Sequence, residues 1–151
     1  MERGMLVVTH NATVDAILNQ KILIARKDSI DIRFVVNDLS ALKLQATDLT
    51  VIMSNLLDNA IEACRKLPIA DRQIEVKALL EETFFFSVRN RSLPVLIYGD
   101  QIATTKQDAQ MHGYGLKNVR AVAHRCRALF ELHYEEGWFL ACLDIPVSPE
   151  L

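Results

Sequence analysis

Apolar residues recur at helical spacing in three stretches of the chain. In residues 12–28 they form one stripe, which consists of Val14, Ile17, Leu18, Ile22 and Ala25. A second stretch covers residues 47–67 and stops before Pro68, whose ring cannot continue a helix. The third is the segment GLKNVRAVAHRC, which starts at Gly115. This spacing predicts three amphipathic helices.

Strict alternation of apolar and polar residues predicts the strands. Residues 30–36 alternate in this way and predict one half-buried strand. Residues 72–92 predict two strands joined at 81–83, and residues 128–146 predict a second hairpin that turns at 136–137. Helices on one side of a mostly antiparallel sheet make the predicted fold class α+β, in two layers.

Residues 92–113 follow neither pattern. Serine, proline, glycine and threonine are interspersed there among few periodic apolar positions, so no regular element is predicted. An irregular stretch of this length is usually a lid or a binding loop. Thr104, Thr105 and Lys106 lie within it and could reach phosphate oxygens when the loop closes. A polar loop without a ligand is an equally simple alternative.

Composition restricts the class of protein. A chain of 151 residues with a formal charge of −2 fits a single domain and gives no reason to expect nucleic acid or an anionic membrane as partner. No apolar run is long enough to span a bilayer. The cysteines Cys64, Cys126 and Cys142 are odd in number and far apart, which predicts reduced core thiols in a cytosolic protein.

The second predicted helix has an unusual polar face. Asn55, Asp58, Asn59 and Glu62 share this face, although asparagine is a poor helix former. Carboxamide oxygens are neutral hard ligands, suited to Mg²⁺ that is already coordinated by substrate phosphates. Carboxylates alone would repel a polyphosphate. The alternative is a solvated helix face without a ligand.

The segment HGYGLKNV, residues 112–119, is a candidate anion site. Gly113 and Gly115 allow close approach of the backbone, and the helix predicted after them would offer unpaired N–H groups to a phosphate. The segment is not a dinucleotide fingerprint, because no strand immediately precedes it, and it lacks the G-K-[ST] ending of a P-loop. Plain loop glycines are the alternative.

These segments together resemble a known family. The order of NLLDNAIEA (55–63), a hairpin ending in VRNRS (88–92), TTK (104–106) and HGYGLKNV is similar to the GHKL ATPase superfamily. The similarity is greatest to the C-terminal catalytic domain of sensor histidine kinases, in the subgroup of quorum-sensing and dicarboxylate or citrate sensors. It covers nearly the whole chain as one domain, 1–151. It implies a Bergerat-type two-layer α/β sandwich, with a mixed sheet backed by about three helices.

The resemblance also implies a site for ATP and Mg²⁺. The asparagine pair of the second helix would hold the metal and the phosphates. Asn90 stands where most relatives have an aspartate that accepts from the adenine amino group. The glycine segment would form the phosphate end, and a basic lid residue would face the terminal phosphates. The implied ATP-binding residues are Asn55, Asn59, Asn90, Lys106, Gly113, Gly115, Leu116 and Asn118.

Two departures from the family pattern affect the expected chemistry. The usual D-x-G is replaced by Asn90, Arg91 and Ser92, so the adenine acceptor would be neutral and its bond weaker. Val51 stands where the hydrolytic relatives have a glutamate base. Efficient hydrolysis is therefore not expected, and no residue of the chain is assigned as catalytic. Transfer to a nucleophile from another domain needs no such base, because phosphoryl transfer is mainly positioning and charge neutralisation.

The resemblance thus implies the ATP-binding domain of a two-component histidine kinase. It would donate the γ-phosphoryl group to a histidine on a separate dimerisation domain and would serve a response regulator. None of His10, His112, His124 and His133 has the surroundings of the acceptor motif. A cytoplasmic location is expected, and it would also hold if the domain were the cytosolic part of a membrane-bound sensor. The alternative is a non-catalytic, nucleotide-binding partner-switching regulator, which the altered D-x-G favours and the intact asparagine pair opposes.

Overall fold

The helices begin and end near the positions where apolar spacing changes. The computed structural model describes residues 6–98, 101–102 and 106–147, with the main chain alone at 98, 101–102 and 106–114. Its helices are α1 (Ala12–Lys27), α2 (Ala46–Arg65) and α3 (Lys106–Arg125), with a short 3-10 turn at Ile69–Asp71. Asn11 caps α1, because its side-chain oxygen accepts from the N–H of Val14 at 3.0 Å.

A mixed sheet is built from five strands in the order β1-β2-β3-β7-β6. These are β1 (Asp31–Val36), β2 (Gln73–Leu80), β3 (Thr83–Arg91), β6 (Leu129–Glu135) and β7 (Trp138–Pro146), while β4 (Ile97–Tyr98) and β5 (Gln101–Ile102) pair only with each other. β1 runs parallel to β2, and the remaining pairings are antiparallel. The predicted α+β class and the mixed, mostly antiparallel sheet are confirmed.

Both predicted hairpins are present. β2 and β3 are joined at Glu81, whose N–H donates to the carbonyl of Thr83 at 3.0 Å. β6 and β7 are joined through Glu136 and Gly137, which have φ angles of 50° and 86°. Two consecutive positive φ angles match the twist of the strands in a two-residue hairpin, and glycine adopts such an angle without strain.

The core lies between the helices and one face of the sheet. The residues of β3 that face the helices alternate along the strand and are at most 1% exposed: Phe84, Phe86, Val88 and Asn90. α2 is the central helix, with α1 and α3 packed against it. Leu57 and Met53 of α2 are fully buried between the layers. Asn90 is therefore a polar residue at a core position of its strand.

The third helix begins much earlier in the chain than the sequence predicts. The start was expected after Gly115, but α3 begins at Lys106 and includes both Gly113 and Gly115. The expectation that 92–113 lacks regular structure is therefore wrong for the described residues, which include β4, β5 and the first turns of α3. Its role as a lid stays a prediction. Thr104 and Thr105 lie outside the described residues.

Candidate functional site

The polar face of α2 is half-buried. Asn55, Asp58, Asn59 and Glu62 all have intermediate exposure, whereas the residues of α2 that face the sheet are buried. The placement of these side chains on one helix face, as the spacing predicts, is confirmed. A face that was merely solvated would be exposed along its length, so this one is partly covered by neighbouring elements.

Asn55 is held in one orientation by its own helix. Its Nδ2 donates to the carbonyl oxygen of Val51, one turn earlier, at 2.7 Å. The Oδ1 atom faces α3, where a Cβ atom built on Gly115 would lie only 3.1 Å from it. That distance is shorter than an ordinary van der Waals contact, so the absence of a side chain at Gly115 allows α3 to pack this close to Asn55.

The charge on this face is compensated from the first helix. The Nζ atom of Lys21, on α1, lies 2.7 Å from Oδ1 of Asp58. The Lys21 side chain is only 11% exposed, whereas that of Asp58 is 49% exposed. The carboxamides of Asn55 and Asn59 are neutral, and the ion pair balances the charge of Asp58 between them.

Asn90 presents a buried carboxamide from the sheet. It is 1% exposed, and its Nδ2 donates to the carbonyl of Arg91 at 2.9 Å. This bond uses a donor and leaves Oδ1 as the acceptor, which is the group that a base amino function requires. The end of α2 lies nearby, because Sγ of Cys64 is 4.0 Å from the same Arg91 carbonyl.

The remaining predicted residues all lie on α3. Leu116 is 6% exposed, and its side chain packs in the core. Asn118 is exposed at the surface. Gly113 and Lys106 belong to the first turns of the helix, where the main chain alone is described. The helix N-terminus expected after Gly115 is not there, because the helical hydrogen bonding extends back to Lys106.

Sequence reasoning missed the ion pairs that hold α2 in place. Lys21 lies four residues after Ile17 on the apolar stripe of α1, a position where a lysine needs a partner, so the signal was present. At the other end of the site, Nη2 of Arg125 lies 2.6 Å from Oδ1 of Asp48, which joins the C-terminus of α3 to the N-terminus of α2. This contact and the Gly115 contact define an antiparallel packing of the two helices.

The carboxamide oxygens suit a metal that arrives with phosphates. Asn55 has a fixed side chain, Asn59 lies one turn further along the same half-buried face, and the nearby Asp58 is paired. Among the described residues, no group of three or more histidine, cysteine, aspartate or glutamate side chains could hold a metal ion. The helices of that same part of the chain include none that is long and apolar enough to cross a membrane.

Comparisons with known proteins identify related sequences and folds. The profile of a family described as the GHKL domain matches residues 44–146. The nucleotide-free catalytic domain of histidine kinase ThkA has a TM-score of 0.70 and 19% identity, over 97% of this chain and 99% of that one. The cytoplasmic segment of histidine kinase QseC has a TM-score of 0.58 and 19% identity, over 96% of this chain and 80% of that segment.

A further match is the histidine kinase AdeS of Acinetobacter baumannii, with a TM-score of 0.64 and 12% identity, over 91% of this chain and 64% of that one. A search of curated proteins gives no significant match. At these identities the structural matches establish the fold, which is that of histidine kinase catalytic domains.

Proposed function

The chain belongs to the GHKL domain family, and from this membership we propose that it is the ATP-binding catalytic domain of a two-component sensor histidine kinase. In this role it donates the γ-phosphoryl group of MgATP to a histidine on a separate dimerisation domain. The observation that supports the proposal best is the half-buried face of α2, which carries Asn55 and Asn59 and where Oδ1 of Asn55 faces Gly115 of α3.

The asparagine pair suits the binding of a magnesium nucleotide. Asn55 and Asn59 would hold Mg²⁺ through their side-chain oxygens together with the phosphates, and the metal would neutralise charge on the transferred group. The bond from Asn55 to Val51 fixes the first carboxamide before the ligand arrives, which reduces the entropy lost on binding. The Lys21 partner of Asp58 removes a charge that would repel the phosphates.

The other implied residues fall into two groups. Asn90 offers a buried acceptor for the adenine amino group. The second group lies on α3 and would serve the phosphate end of the nucleotide: Lys106, Gly113, Gly115, Leu116 and Asn118. Leu116 would act there through packing, because its side chain is buried in the core.

Transfer to a partner fits this site better than hydrolysis does. The residue one turn before Asn55 is Val51, an apolar side chain that cannot activate water, and its carbonyl oxygen already accepts from Asn55. Without a base, the bound nucleotide is hydrolysed slowly and stays available for transfer to an acceptor that another domain supplies. The proposed partners are therefore a histidine-bearing dimerisation domain and a response regulator. A cytoplasmic location and the quorum-sensing or dicarboxylate subgroup belong to the same proposal.

Calorimetric titration with ATP, with and without magnesium, tests the nucleotide site. We expect Asn59→Ala to weaken MgATP binding by about tenfold or more, equal to about 1.4 kcal/mol, while the chain stays folded. Gln20→Ala removes an exposed carboxamide from α1 and is the matched control, which should bind as the unchanged chain does. Equal ATP affinity in the presence and absence of magnesium would contradict the metal site.

A second measurement separates a kinase from the alternatives. The chain is incubated with γ-³²P-labelled ATP and with the dimerisation domain of a related histidine kinase added in trans. Acid-labile label on that domain, with little phosphate released in its absence, is the expected result. Rapid phosphate release without the acceptor would indicate an ATPase. Tight MgATP binding without transfer to any of several such domains would favour a non-catalytic regulator.

A further inference from the structure

A groove of about 500 Å³ lies on the side of α3 that faces away from α2. Its helix wall contains Lys117, Ala121 and His124, at the i, i+4 and i+7 positions of one exposed stripe. Gly115, which contacts Asn55, belongs to the opposite side of the helix. The groove is therefore separate from the proposed nucleotide site.

The lining of the groove is basic and apolar. Lys117, Arg120 and His124 supply the polar groups, and Phe130 forms the apolar wall on the β6 side. Among the described residues that line it none is acidic, although the whole chain has a formal charge of −2. Glu131, the next residue of β6, contacts His133 and projects from the opposite face of the strand. A negatively charged ligand that also has apolar groups matches this surface.

The strand beside the groove lies at the edge of the sheet. Among the strands that the structure describes, β6 is the last in the sheet order and pairs with β7, so the other side of its backbone can accept a further strand. β4 approaches β6 but pairs with β5 and does not join the sheet. An extended peptide could use this backbone edge, whereas a nucleotide or a free phosphate could not.

From these three features we infer that the groove between α3 and β6 binds an extended acidic peptide segment of a partner protein. The segment adds to the edge of β6, inserts an apolar side chain against Phe130 and places a carboxylate near Lys117. Its alternate side chains meet the groove, because successive residues of a strand point to opposite faces. This inference does not rest on the proposed function, since no residue of the nucleotide site takes part.

A peptide selection on the full chain tests this inference. A random library of 12-residue peptides is selected on the immobilised chain, and the enriched peptides are measured by fluorescence anisotropy. The variant Ala121→Glu adds a carboxylate to the groove without removing a contact, because Ala121 is exposed. The matched control is Ala16→Glu, the same change at an exposed position of α1.

We expect the enriched peptides to be acidic, with apolar residues at alternate positions. Ala121→Glu should lower the affinity of the chain for these peptides by about tenfold or more. Raising the salt concentration should lower this affinity further. Ala16→Glu should change their affinity by less than about twofold, and both variants should keep MgATP binding and thermal stability. Methylation of alternate peptide nitrogens should abolish binding, because those N–H groups would bond to β6.

Three results would overturn the inference. The enriched peptides could have no acidic bias, they could bind Ala121→Glu as well as Ala16→Glu, or no peptide could be enriched above the Ala121→Glu background. Tolerance of methylation at every peptide nitrogen would also overturn the addition to β6. A failure of MgATP binding in the unchanged chain would contradict the proposed function and would leave these outcomes unaffected, so the two failures are distinguishable.

Discussion

Gly115 of α3 and Asn55 of α2 approach so closely that a Cβ atom on the glycine would lie 3.1 Å from Oδ1 of the asparagine. Glycine inside a helix costs about 1 kcal/mol relative to alanine, so this position has a packing reason for its small residue. The contact joins the face proposed to hold Mg²⁺ to the helix proposed to bind the phosphates.

Gly115→Ala should therefore lower the affinity for MgATP while it changes the free energy of unfolding very little. We expect the gain in helix propensity, up to about 1 kcal/mol, to offset the steric cost, so that the free energy of unfolding changes by less than about 1 kcal/mol. MgATP affinity should fall by about tenfold, because the new methyl group displaces Oδ1 of Asn55. Urea unfolding and calorimetry measure the two quantities.

A double-mutant cycle provides the control for this prediction. Once Asn55→Ala has removed Oδ1, adding Gly115→Ala should cause little further loss of MgATP affinity. Independent, additive losses would show that the two residues do not act through their contact.

The ion pair between Lys21 and Asp58 gives a second prediction. Lys21→Met should lower the free energy of unfolding by no more than about 1 kcal/mol, because half of the Asp58 side chain is exposed and solvent screens its charge. MgATP affinity should fall more clearly, since the uncompensated carboxylate repels the phosphates, and added salt should reduce the loss. Calorimetric titration with MgATP at two salt concentrations measures this affinity and its dependence on salt.

Asp58→Asn in the Lys21→Met background is the control, and it should restore most of the MgATP affinity. A loss that the second substitution does not repair would mean that Lys21 acts on α2 through packing alone.

Asn90 allows a test of base selection that depends on its hydrogen bond. Asn90→Asp would bring a carboxylate against the Arg91 carbonyl, to which Nδ2 now donates, at a site that is 1% exposed. We expect a loss of about 1–3 kcal/mol in the free energy of unfolding. Asn90→Ala should be tolerated better and should remove the preference for ATP over GTP. An unchanged preference in a folded Asn90→Ala chain would exclude this residue as the adenine acceptor.

The sequence predicts most of the architecture because its elements have regular hydrophobic periods. α1, α2 and the two hairpins follow from apolar spacing, from Pro68 and from the turn at 136–137. The carboxamide face of α2 follows from the same spacing. Residues that are close together in the sequence determine each of these features, so the sequence pattern alone predicts them.

The start of α3 and the pairing of Lys21 could not be predicted in the same way. Gly113 and Gly115 read as helix breakers, yet the penalty of about 1 kcal/mol for each is smaller than the packing that a buried Leu116 and Val119 supply. The partner of Lys21 depends on how α1 lies across α2, and a single sequence does not encode that crossing in any local pattern.

The segment that precedes α1 is fixed by side chains of that helix. Oδ1 of Asp15 accepts from the N–H of Thr9 at 2.8 Å and from its Oγ1 at 2.6 Å, and Thr9 is fully buried. Asp15→Ala leaves both donors without this partner and should lower the free energy of unfolding by about 1–3 kcal/mol. Urea unfolding measures the loss. Ala16→Ser, an exposed neighbour, is the control, and a loss equal to the control would mean that solvent replaces both bonds.

The cysteine thiols lead to a prediction for the stability of the chain at alkaline pH. Burial raises the pKa of the Cys64 thiol above the usual 9.0, and burial together with the charge of Asp48 raises the pKa of the Cys126 thiol. Both groups are disfavoured as thiolates in the folded chain, so the unfolded chain loses these protons first. Their contribution to stability is present below pH 9 and is lost as the pH rises above it. Cys64→Ala should reduce this alkaline slope in urea unfolding at pH 7–10.

Thiol reactivity gives the matching kinetic result. At pH 7.5 the thiol reagent DTNB should react with the folded chain more slowly than with the urea-unfolded chain, because the thiolate is the reactive form. Cys64 is fully buried and should be the slower of the two thiols, so a variant that keeps only Cys126 should react faster than one that keeps only Cys64. Rapid modification of Cys64 in the folded chain would contradict its full burial beside the Gln73 carbonyl, which lies 3.6 Å from the sulfur.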